Sequence, residues 1–287
     1  MSASDIHHTR VGKKSAASVG EALGGATEAL AAAGVDSPRL DAELLLAEAT
    51  GWDRARLATD PDGGVPADAA RRFGELVRRR LRREPVAYIL GRKGFRSLEL
   101  RVDRRVLIPR PETELLVELA LELRPRRVLD MGTGSGAVAL AIAAELPGCE
   151  LIATDTSAAA LEVARANAER LGLAERIELV RAMLPPQPPR LDLIVANLPY
   201  VAAAEWAGLE PEVTEWEPRA ALLAGADGLD AIRAAIPLAA AVTPALALEV
   251  GAGQARTVSE LLFEAGFATV EARPDLAGIP RVVWGRR

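Results

Sequence analysis

The sequence predicts an α/β protein in which a doubly wound parallel sheet follows a small helical domain and a β-hairpin linker. Three observations predict this fold. Residues 16–84 place their apolar side chains at helical spacing and lack strand-like alternation. Short strand-like segments lie around Asp103 between residues 85 and 108. From about residue 126 onward, strands alternate with helices long enough to connect parallel neighbours.

The helical domain is expected over residues 16–84. Ser37 followed by Pro38 marks a helix start, and the segment 60–64 predicts a loop because it is rich in Asp, Pro and Gly. The next helix carries apolar residues at helical spacing and seven arginines: Arg71, Arg72, Arg78, Arg79, Arg80, Arg82 and Arg83. We expect these arginines to project from its other faces, either as a solvated surface or as a docking surface for an acidic partner.

The hairpin is expected over residues 85–108 and the sheet domain over 109–287. Residues 108–112 predict a helix start, because proline suits a first turn and acidic side chains favour the positive end of the helix dipole. The strands of the sheet are expected at residues 127–131, 150–154, 177–180, 191–196, 246–250 and 282–284.

The composition excludes several classes of protein. A net charge of −5 argues against broad nucleic-acid binding, which needs a basic surface. Cys149 is the only cysteine, so no intramolecular disulfide can form, which fits a reducing cytoplasm. The polar residues 1–15 lack the apolar core of a signal peptide and predict a disordered tail, and the apolar stretch 234–248 is too short to span a bilayer. We therefore expect a cytoplasmic protein without membrane contact.

A glycine-rich segment follows the first predicted strand of the sheet. It consists of Asp130, Met131, Gly132, Thr133, Gly134, Ser135 and Gly136. Its glycines allow the backbone to approach a ligand closely, although a plain strand-to-helix turn has the same pattern. Asp155 ends the next strand, where a carboxylate can accept hydrogen bonds from both ribose hydroxyls or can cap the following helix. Together these residues predict an adenosine site, carried either by NAD or by S-adenosylmethionine.

A third motif separates these two cofactors. Asn197, Leu198, Pro199 and Tyr200 follow a later strand, at the edge where an open sheet keeps its ligand crevice. The Asn197 side-chain carbonyl and the Leu198 backbone carbonyl can accept hydrogen bonds from both N–H groups of a planar NH₂ group. They can also stabilise the positive charge that develops on its nitrogen. Pro199 fixes the turn and Tyr200 offers an aromatic face. The motif favours methyl transfer to a planar nitrogen over an ordinary Asn-x-Pro turn.

From residue 16 onward the sequence resembles the HemK/PrmC family of protein-(glutamine-N5) methyltransferases. Besides the glycine-rich segment, the matching segments are residues 84–91, 106–114, 226–230, 248–251 with Gln254, and 275–278. The resemblance implies a seven-stranded, Rossmann-like class I methyltransferase domain behind a helical substrate-recognition domain. It also implies S-adenosyl-L-methionine as the cofactor and the glutamine of a Gly-Gly-Gln loop in peptide chain release factors as the substrate.

The resemblance further implies which residues bind the cofactor. Asp130 and the segment 132–136 would hold the methionine part of the cofactor, and Asp155 would hold its ribose. Met183 occupies the position that flanks the adenine, although a methionine there also fits the core. Asn197 would contact both the cofactor and the substrate.

The substrate side of the site follows from the same resemblance. Asn197 and Tyr200 would be the catalytic pair, and Leu198 and Pro199 would also contact the substrate. Arg110 and Glu112 would line the mouth of the pocket, or would serve only to start the helix. We expect transfer by positioning and electrostatics, with no metal and no covalent intermediate, in a monomer.

Leu198 departs from the family pattern, which usually has two prolines after the asparagine. The tetrad resembles instead that of ribosomal RNA adenine dimethyltransferases. Three alternatives therefore stay open: a nucleic-acid adenine N6-methyltransferase, a methyltransferase acting on a ribosomal-protein glutamine, and a binding module that retains the fold. The acidic charge and the 3% aromatic content argue against the first. The intact set of Asp130, Asp155 and Asn197 argues against the last.

Overall fold

The computed structural model describes residues 17–287, and the tail predicted for residues 1–15 lies outside them. The chain divides into two compact units, the first ending at Leu90 and the second beginning at Gly91. Within residues 17–287 no helix combines the length and the apolarity that a bilayer span requires.

The first unit is helical, as the spacing of its apolar residues predicts. Its helices are α1 (Val19–Ala32), α2 (Pro38–Thr50), α3 (Arg54–Thr59), α4 (Ala67–Leu81) and α5 (Val86–Leu90). A capping box between Ser18 and Glu21 starts α1, and Pro38 occupies the first position of α2. The apolar faces of these helices form a single core that includes Leu30 and Leu45.

The arginines of α4 do not all project into solvent, which corrects the sequence-based expectation. Arg80 is buried, and its Nε donates to Asp41 of α2 at 2.7 Å. A second bond from Arg80 to the Glu84 carbonyl adds to this pairing, and a buried charge is tolerated only when it is paired in this way. Arg72 and Arg79 also form ion pairs within the unit.

The β-hairpin is shorter than the predicted segment 85–108. β1 (Arg92–Phe95) pairs antiparallel with β2 (Leu98–Arg101), whereas the residues before it form α5. Phe95 and Leu100 are buried in an apolar cluster of the second unit. The hairpin is therefore packed as part of the second unit.

The second unit contains a seven-stranded sheet, the number that the family resemblance implies. Its strands are β3 (Arg127–Met131), β4 (Glu150–Asp155), β5 (Ile177–Arg181), β6 (Leu193–Ala196), β7 (Ala245–Glu249), β8 (Thr269–Pro274) and β9 (Pro280–Arg286). They lie in the order β5-β4-β3-β6-β7-β9-β8, and only β9 runs antiparallel to its neighbours. The sequence did not predict β8, because most of its residues are exposed and it includes the charged Glu271 and Arg273, a pattern that does not indicate a buried strand.

Helices cover both faces of this sheet. They are α6 (Glu114–Leu123), α7 (Ala137–Glu145), α8 (Ala158–Arg170), α9 (Pro211–Thr214), α10 (Asp230–Ala240) and α11 (Ala255–Glu264). Neighbouring residues of one strand enter opposite apolar clusters, as Val128 and Leu129 do in β3. The strand order reverses between β3 and β6, so the carboxyl ends of these strands open a crevice at one edge of the sheet.

Candidate active site

Three loops meet at the carboxyl ends of β3, β4 and β6 and line a cavity of about 290 Å³. The sequence-predicted site residues in its lining are Asp130, Gly132, Thr133, Gly134, Ser135, Asp155, Met183, Asn197, Leu198 and Pro199. Four other predicted site residues lie outside this lining, namely Gly136, Tyr200, Arg110 and Glu112. The structure thus brings together most of the predicted site, drawn from segments far apart in the chain.

The first loop, Gly132–Gly136, is called the glycine loop below. Gly132, Gly134 and Gly136 have φ values of 79°, 56° and 85°, which a residue with a Cβ rarely adopts. A Cβ at Gly136 would lie 2.8 Å from Leu140 Cδ1, whereas one at Gly134 would meet nothing within 4 Å. Gly136 therefore serves the turn into α7, and Gly134 leaves space free at the cavity.

Asp130 is the last but one residue of β3 and lies just before the glycine loop. Its Oδ2 accepts from the Thr133 hydroxyl at 2.7 Å and from the Ala139 N–H at 3.2 Å. Burial raises the pKa of Asp130 to about 6, although these two donors act in the opposite direction. The carboxyl group thereby ties the loop to the first turn of α7.

Asp155 ends β4 and also contacts the glycine loop. Its Oδ2 accepts from the Gly134 N–H at 3.0 Å and its Oδ1 from the Ser157 N–H at 2.8 Å. The cap of α8 is Ser157, whose hydroxyl oxygen accepts from the Ala160 N–H. Since each carboxylate oxygen has two lone pairs, both oxygens of Asp155 can accept a further bond from a ligand hydroxyl.

Met183 lies between the core and the cavity. Its side chain packs against the apolar cluster on one face of the sheet and also lines the cavity. The Thr154 hydroxyl donates to the Met183 carbonyl at 3.0 Å and fixes the backbone there.

The segment Asn197–Tyr200, called the asparagine loop below, follows β6. The Asn197 Nδ2 donates to the Thr113 Oγ1 at 3.1 Å. Thr113 closes the short 3₁₀ turn Pro111–Thr113, which leads directly into α6. No described donor reaches the Asn197 Oδ1, so this carbonyl oxygen keeps its capacity to accept. The acceptor role predicted from the sequence for Asn197 requires this oxygen, and it stays a prediction.

The side chain of Leu198 faces inward. It is buried and belongs to the same apolar cluster as Met131 and Leu229. Its Cδ2 lies 3.1 Å from the position that a Cβ at Gly132 would take, so the two loops pack directly on each other. The unusual residue of the tetrad is therefore a packing residue whose side chain lies in the protein core.

Tyr200 anchors the end of the asparagine loop to the end of β7 and to Gln254. Its hydroxyl donates to the Glu249 Oε1 at 3.3 Å, and its carbonyl accepts from the Gln254 Nε2 at 2.9 Å. Burial and the neighbouring Glu249 carboxylate raise the pKa of the Tyr200 phenol. Its ring is half-buried and lies outside the cavity lining.

Arg110 and Glu112 lie beside the cavity. The Arg110 guanidinium pairs with the buried Glu217, whose other oxygen accepts from the Ile108 N–H at 3.1 Å. Glu112 lies in the 3₁₀ turn before α6, where its negative charge raises the pKa of Glu249. Both residues thus shape the segment that carries Thr113.

Two family models match this chain. The PrmC N-terminal domain matches residues 21–91, and the methyltransferase small domain matches residues 111–209. These stretches correspond to the helical unit and to the part of the sheet that carries both loops of the site.

Curated relatives match nearly the whole chain. The release factor glutamine methyltransferase of Cereibacter sphaeroides is 47% identical, over 93% of this chain and 97% of its own length. This chain belongs to the release factor glutamine methyltransferase family. Members from Geobacter sulfurreducens and Moorella thermoacetica are 42% and 43% identical, and the matches cover 90% and 91% of this chain and 92% and 95% of theirs.

A solved structure agrees with the fold of this family. The catalytic domain of hMettl16, in complex with the MAT2A 3′UTR hairpin 6, superposes with a TM-score of 0.57. The match covers 70% of this chain and 79% of that domain at 18% sequence identity. At this identity the likeness establishes the methyltransferase fold.

Sequence reasoning missed four residues that build the site. Thr113, Glu249 and Gln254 lie in segments that carried the family resemblance, but no role followed from the sequence alone. Each of them acts through a contact with the asparagine loop. Glu217 had no local signal, because a glutamate in a polar stretch is normally exposed.

Proposed function

We propose that this chain transfers a methyl group from S-adenosyl-L-methionine to the side-chain amide nitrogen of a glutamine in a peptide chain release factor. The observation that carries the proposal is the orientation of Asn197 in the cavity. Its amide nitrogen is engaged by Thr113, which leaves its carbonyl oxygen free to accept from a substrate N–H. The family to which the chain belongs supports the choice of protein substrate.

The lining of the cavity fits the proposed cofactor. The open face of Gly134 leaves room for a ligand next to the backbone. Asp155 offers two carboxylate oxygens for ribose hydroxyls, and Met183 offers an apolar surface for a flat ring. Asp130 and the rest of the glycine loop hold this surface in place. S-adenosylmethionine, when bound, supplies an electrophilic methyl group attached to a sulfonium.

The chain's own residues orient the acceptor nitrogen. The lone pair of an amide nitrogen is delocalised, so the nitrogen attacks only when it is held in position. Asn197 Oδ1 and the Leu198 carbonyl accept hydrogen bonds from its two N–H groups and stabilise the positive charge that develops on it. One of these two protons leaves once the N–methyl bond has formed. Pro199 keeps the turn narrow, and Tyr200 fixes the loop through Glu249 and Gln254. Arg110 and Glu112 lie in the segment between Pro109 and Thr113, two residues that line the cavity.

The alternative substrate, an adenine in RNA, had its support in Leu198. Leu198 lines the cavity, but most of its side chain is buried in the apolar cluster and only 6% of the residue is exposed, which leaves little surface for a base. Only the backbone carbonyl at this position takes part in the proposed recognition, and a proline would supply the same atom. The exchange of proline for leucine therefore supports no change of substrate class.

We further propose that the helical unit binds the part of the release factor outside the methylated loop. Among the arginines that the sequence singles out, Arg71, Arg78 and Arg82 are exposed and have no ion pair within residues 17–287. Arg71 and Arg78 lie seven residues apart on α4, and Arg82 is the residue that directly follows this helix, four residues after Arg78, so the three form one stripe. An acidic surface on the substrate would complement this stripe.

Mass spectrometry tests the substrate. A release factor is incubated with the enzyme and S-adenosylmethionine, and its peptides are compared with those of a factor whose Gly-Gly-Gln glutamine is replaced by alanine. We expect one added methyl group, confined to the glutamine peptide of the unaltered factor. Methylation of ribosomal RNA with no change in the release factor would refute the proposal.

Calorimetry tests the cofactor. We expect S-adenosylmethionine to bind and NAD to give no measurable heat. Asp155→Ala should weaken cofactor binding by about 1–3 kcal/mol, because two ribose hydroxyls lose a charged acceptor. Asp155→Asn, which keeps one oxygen for the Gly134 N–H, should lose less. Equal affinity in Asp155→Ala and the natural chain would show that the ribose binds elsewhere.

A further inference from the structure

Glu249 is a buried carboxylate that the proposed chemistry has so far not used. It ends β7 and is 2% exposed. Its Oε1 accepts from the Tyr200 hydroxyl, but its Oε2 is buried and has no hydrogen bond of regular geometry within residues 17–287. Burying a carboxyl group with an incomplete set of partners lowers the stability of the fold. A neutral residue of the same shape would avoid this cost.

Glu249 faces both ends of the asparagine loop. Tyr200, the last residue of the loop, donates to its carboxyl group directly. Asn197, the first residue, donates to the Thr113 hydroxyl oxygen. The Thr113 hydroxyl is close enough to the Glu249 carboxyl group to lower its pKa, although no hydrogen bond of regular geometry joins the two side chains, so we infer that Thr113 donates towards Glu249. These residues come from three separate segments: Thr113 precedes α6, the asparagine loop follows β6 and Glu249 ends β7.

The chemistry of these groups sets the direction of each hydrogen bond. An ionised carboxyl group can only accept, and a threonine hydroxyl has a single hydrogen to donate. When the Thr113 hydroxyl donates to Glu249, its oxygen is left to accept from Asn197. The Asn197 amide nitrogen must then face Thr113, and its Oδ1 must face the other way.

We propose that Glu249 is a positioning residue that fixes the orientation of the Asn197 amide through Thr113 and holds the other end of the asparagine loop through Tyr200. The inference rests on the proposed function and deepens it, because it identifies the group that turns the Asn197 Oδ1 towards the substrate nitrogen. Glu249 itself is too deeply buried to touch the substrate.

The surroundings of Glu249 make the hydrogen-bond path from Glu249 through Thr113 to Asn197 sensitive to pH. Burial is the largest cause that raises the pKa of Glu249, and the nearby negative charge of Glu112 adds to it. The Thr113 and Tyr200 hydroxyls and the positive charge of Arg281 lower this pKa. The resulting pKa of Glu249 is about 7. Below this pH the carboxyl group becomes protonated and can donate as well as accept. The direction of the Thr113 hydrogen bond is then no longer imposed, so kcat should fall as the pH falls through about 7.

The test begins with Glu249→Gln, which keeps the shape of the side chain but adds a donor. We expect kcat to fall about tenfold to a hundredfold, the range typical of residues that orient another functional group, with little change in the cofactor Kd. The thermal midpoint should stay the same or rise, because an uncharged group replaces a buried carboxylate. The fall of activity below about pH 7 should disappear in the variant. A merely structural role predicts a lower midpoint and an unaltered pH profile.

Thr113 provides the second arm of the test. Thr113→Val removes the relay and should lower kcat about as much as Glu249→Gln does, whereas Thr113→Ser keeps the hydroxyl and should restore most of the activity. The double variant should be no worse than the more severe single variant, since both act on one path. The matched control is Thr243→Val, because Thr243 is equally buried and, among the residues that the structure describes, its hydroxyl bonds only to Ala245 backbone atoms. This control should keep its kcat.

A side-chain NMR measurement separates this proposal from the proposed function. The Asn197 amide resonance, assigned by its absence in Asn197→Ala, should shift or broaden in Glu249→Gln even if no methyl acceptor is known. A natural chain that methylates no glutamine would overturn the proposed function, and the resonance would still test the positioning role. Wild-type kcat in Glu249→Gln, or an unchanged Asn197 resonance, would overturn the role of Glu249.

Discussion

The glycine loop and the asparagine loop line the same cavity but are held in different ways. Backbone groups carry most of the contacts of the glycine loop: its N–H groups bond to Asp155 and to the Thr154 carbonyl, and its glycines permit the turn. Side chains hold the asparagine loop, through Thr113, Glu249 and Gln254. A surface built from backbone groups suits a ligand that is always the same, whereas a surface built from side chains can orient a reacting atom.

The largest effect is expected from Asn197→Ala. Turnover should fall about a hundredfold to a thousandfold, because the substrate nitrogen loses a preorganised acceptor, and cofactor binding should weaken only modestly. Steady-state kinetics and calorimetry measure the two effects.

Asn167→Ala is the corresponding variant for the glycine loop, because Asn167 is buried and bonds to Ser135 in the glycine loop and to Arg101. It should lower the thermal midpoint and the cofactor affinity more than kcat. If both variants lost only stability, the two loops would not differ in function.

The next effect concerns Asp130 and depends on pH. The folded-state pKa of about 6 lies above the ordinary value of 3.8, so the folded state holds its proton more tightly than the unfolded state does. Stability is therefore lost as the pH rises from about 4 to about 6, and above pH 6 the ionised group costs up to about 3 kcal/mol. Asp130→Asn should raise the free energy of unfolding at pH 7.5, and this gain should shrink as the pH falls towards 4. Denaturant titrations at several pH values measure it, and a gain that is independent of pH would contradict the assignment.

A pair of glycine substitutions separates folding from binding within one loop. Gly136→Ala should lower stability by roughly 1–3 kcal/mol, because a positive φ is combined with crowding against Leu140. Gly134→Ala has the positive φ alone and should lower stability by about 1 kcal/mol, while its methyl group reduces cofactor affinity. Thermal unfolding and calorimetry on both variants give the four values. The same ratio of affinity loss to stability loss in both would show that the two glycines have one role.

The smallest change in turnover is expected from Leu198→Pro. The backbone carbonyl remains, so glutamine methylation should stay within about tenfold of the natural rate, a difference of ~1.4 kcal/mol in the barrier. Stability should fall by roughly 1–3 kcal/mol, because a smaller side chain replaces a buried leucine. Kinetic assays on a release factor and on ribosomal RNA, together with thermal unfolding, measure these effects. A gain of glutamine methylation only in the proline variant would show that Leu198 controls the substrate.

The sequence predicted most strands because buried parallel strands are short, apolar and separated by helices. β3 has the predicted bounds, and β4 and β5 extend one residue further. Predictions failed at the start of the hairpin, at one edge strand and at a buried charge. Residues 86–90 form a helix that packs with the first unit, and the edge strand β8 was missed because most of its residues are exposed. Arg80 lies in the core because Asp41, distant in sequence, is there to pair with it.

The sequence by itself determined the family, most of the order of helices and strands, and the half of the site that depends on local backbone geometry. A glycine at a positive φ and an acid at the end of a strand leave local patterns, because their causes lie within a few residues. Only the tertiary structure decided how the asparagine loop is held. The Asn197–Thr113 and Tyr200–Glu249 contacts join residues 84 and 49 positions apart. Their hydrogen bonds form only because the sheet brings the ends of β6 and β7 and the start of α6 to one edge, and no local pattern encodes that meeting.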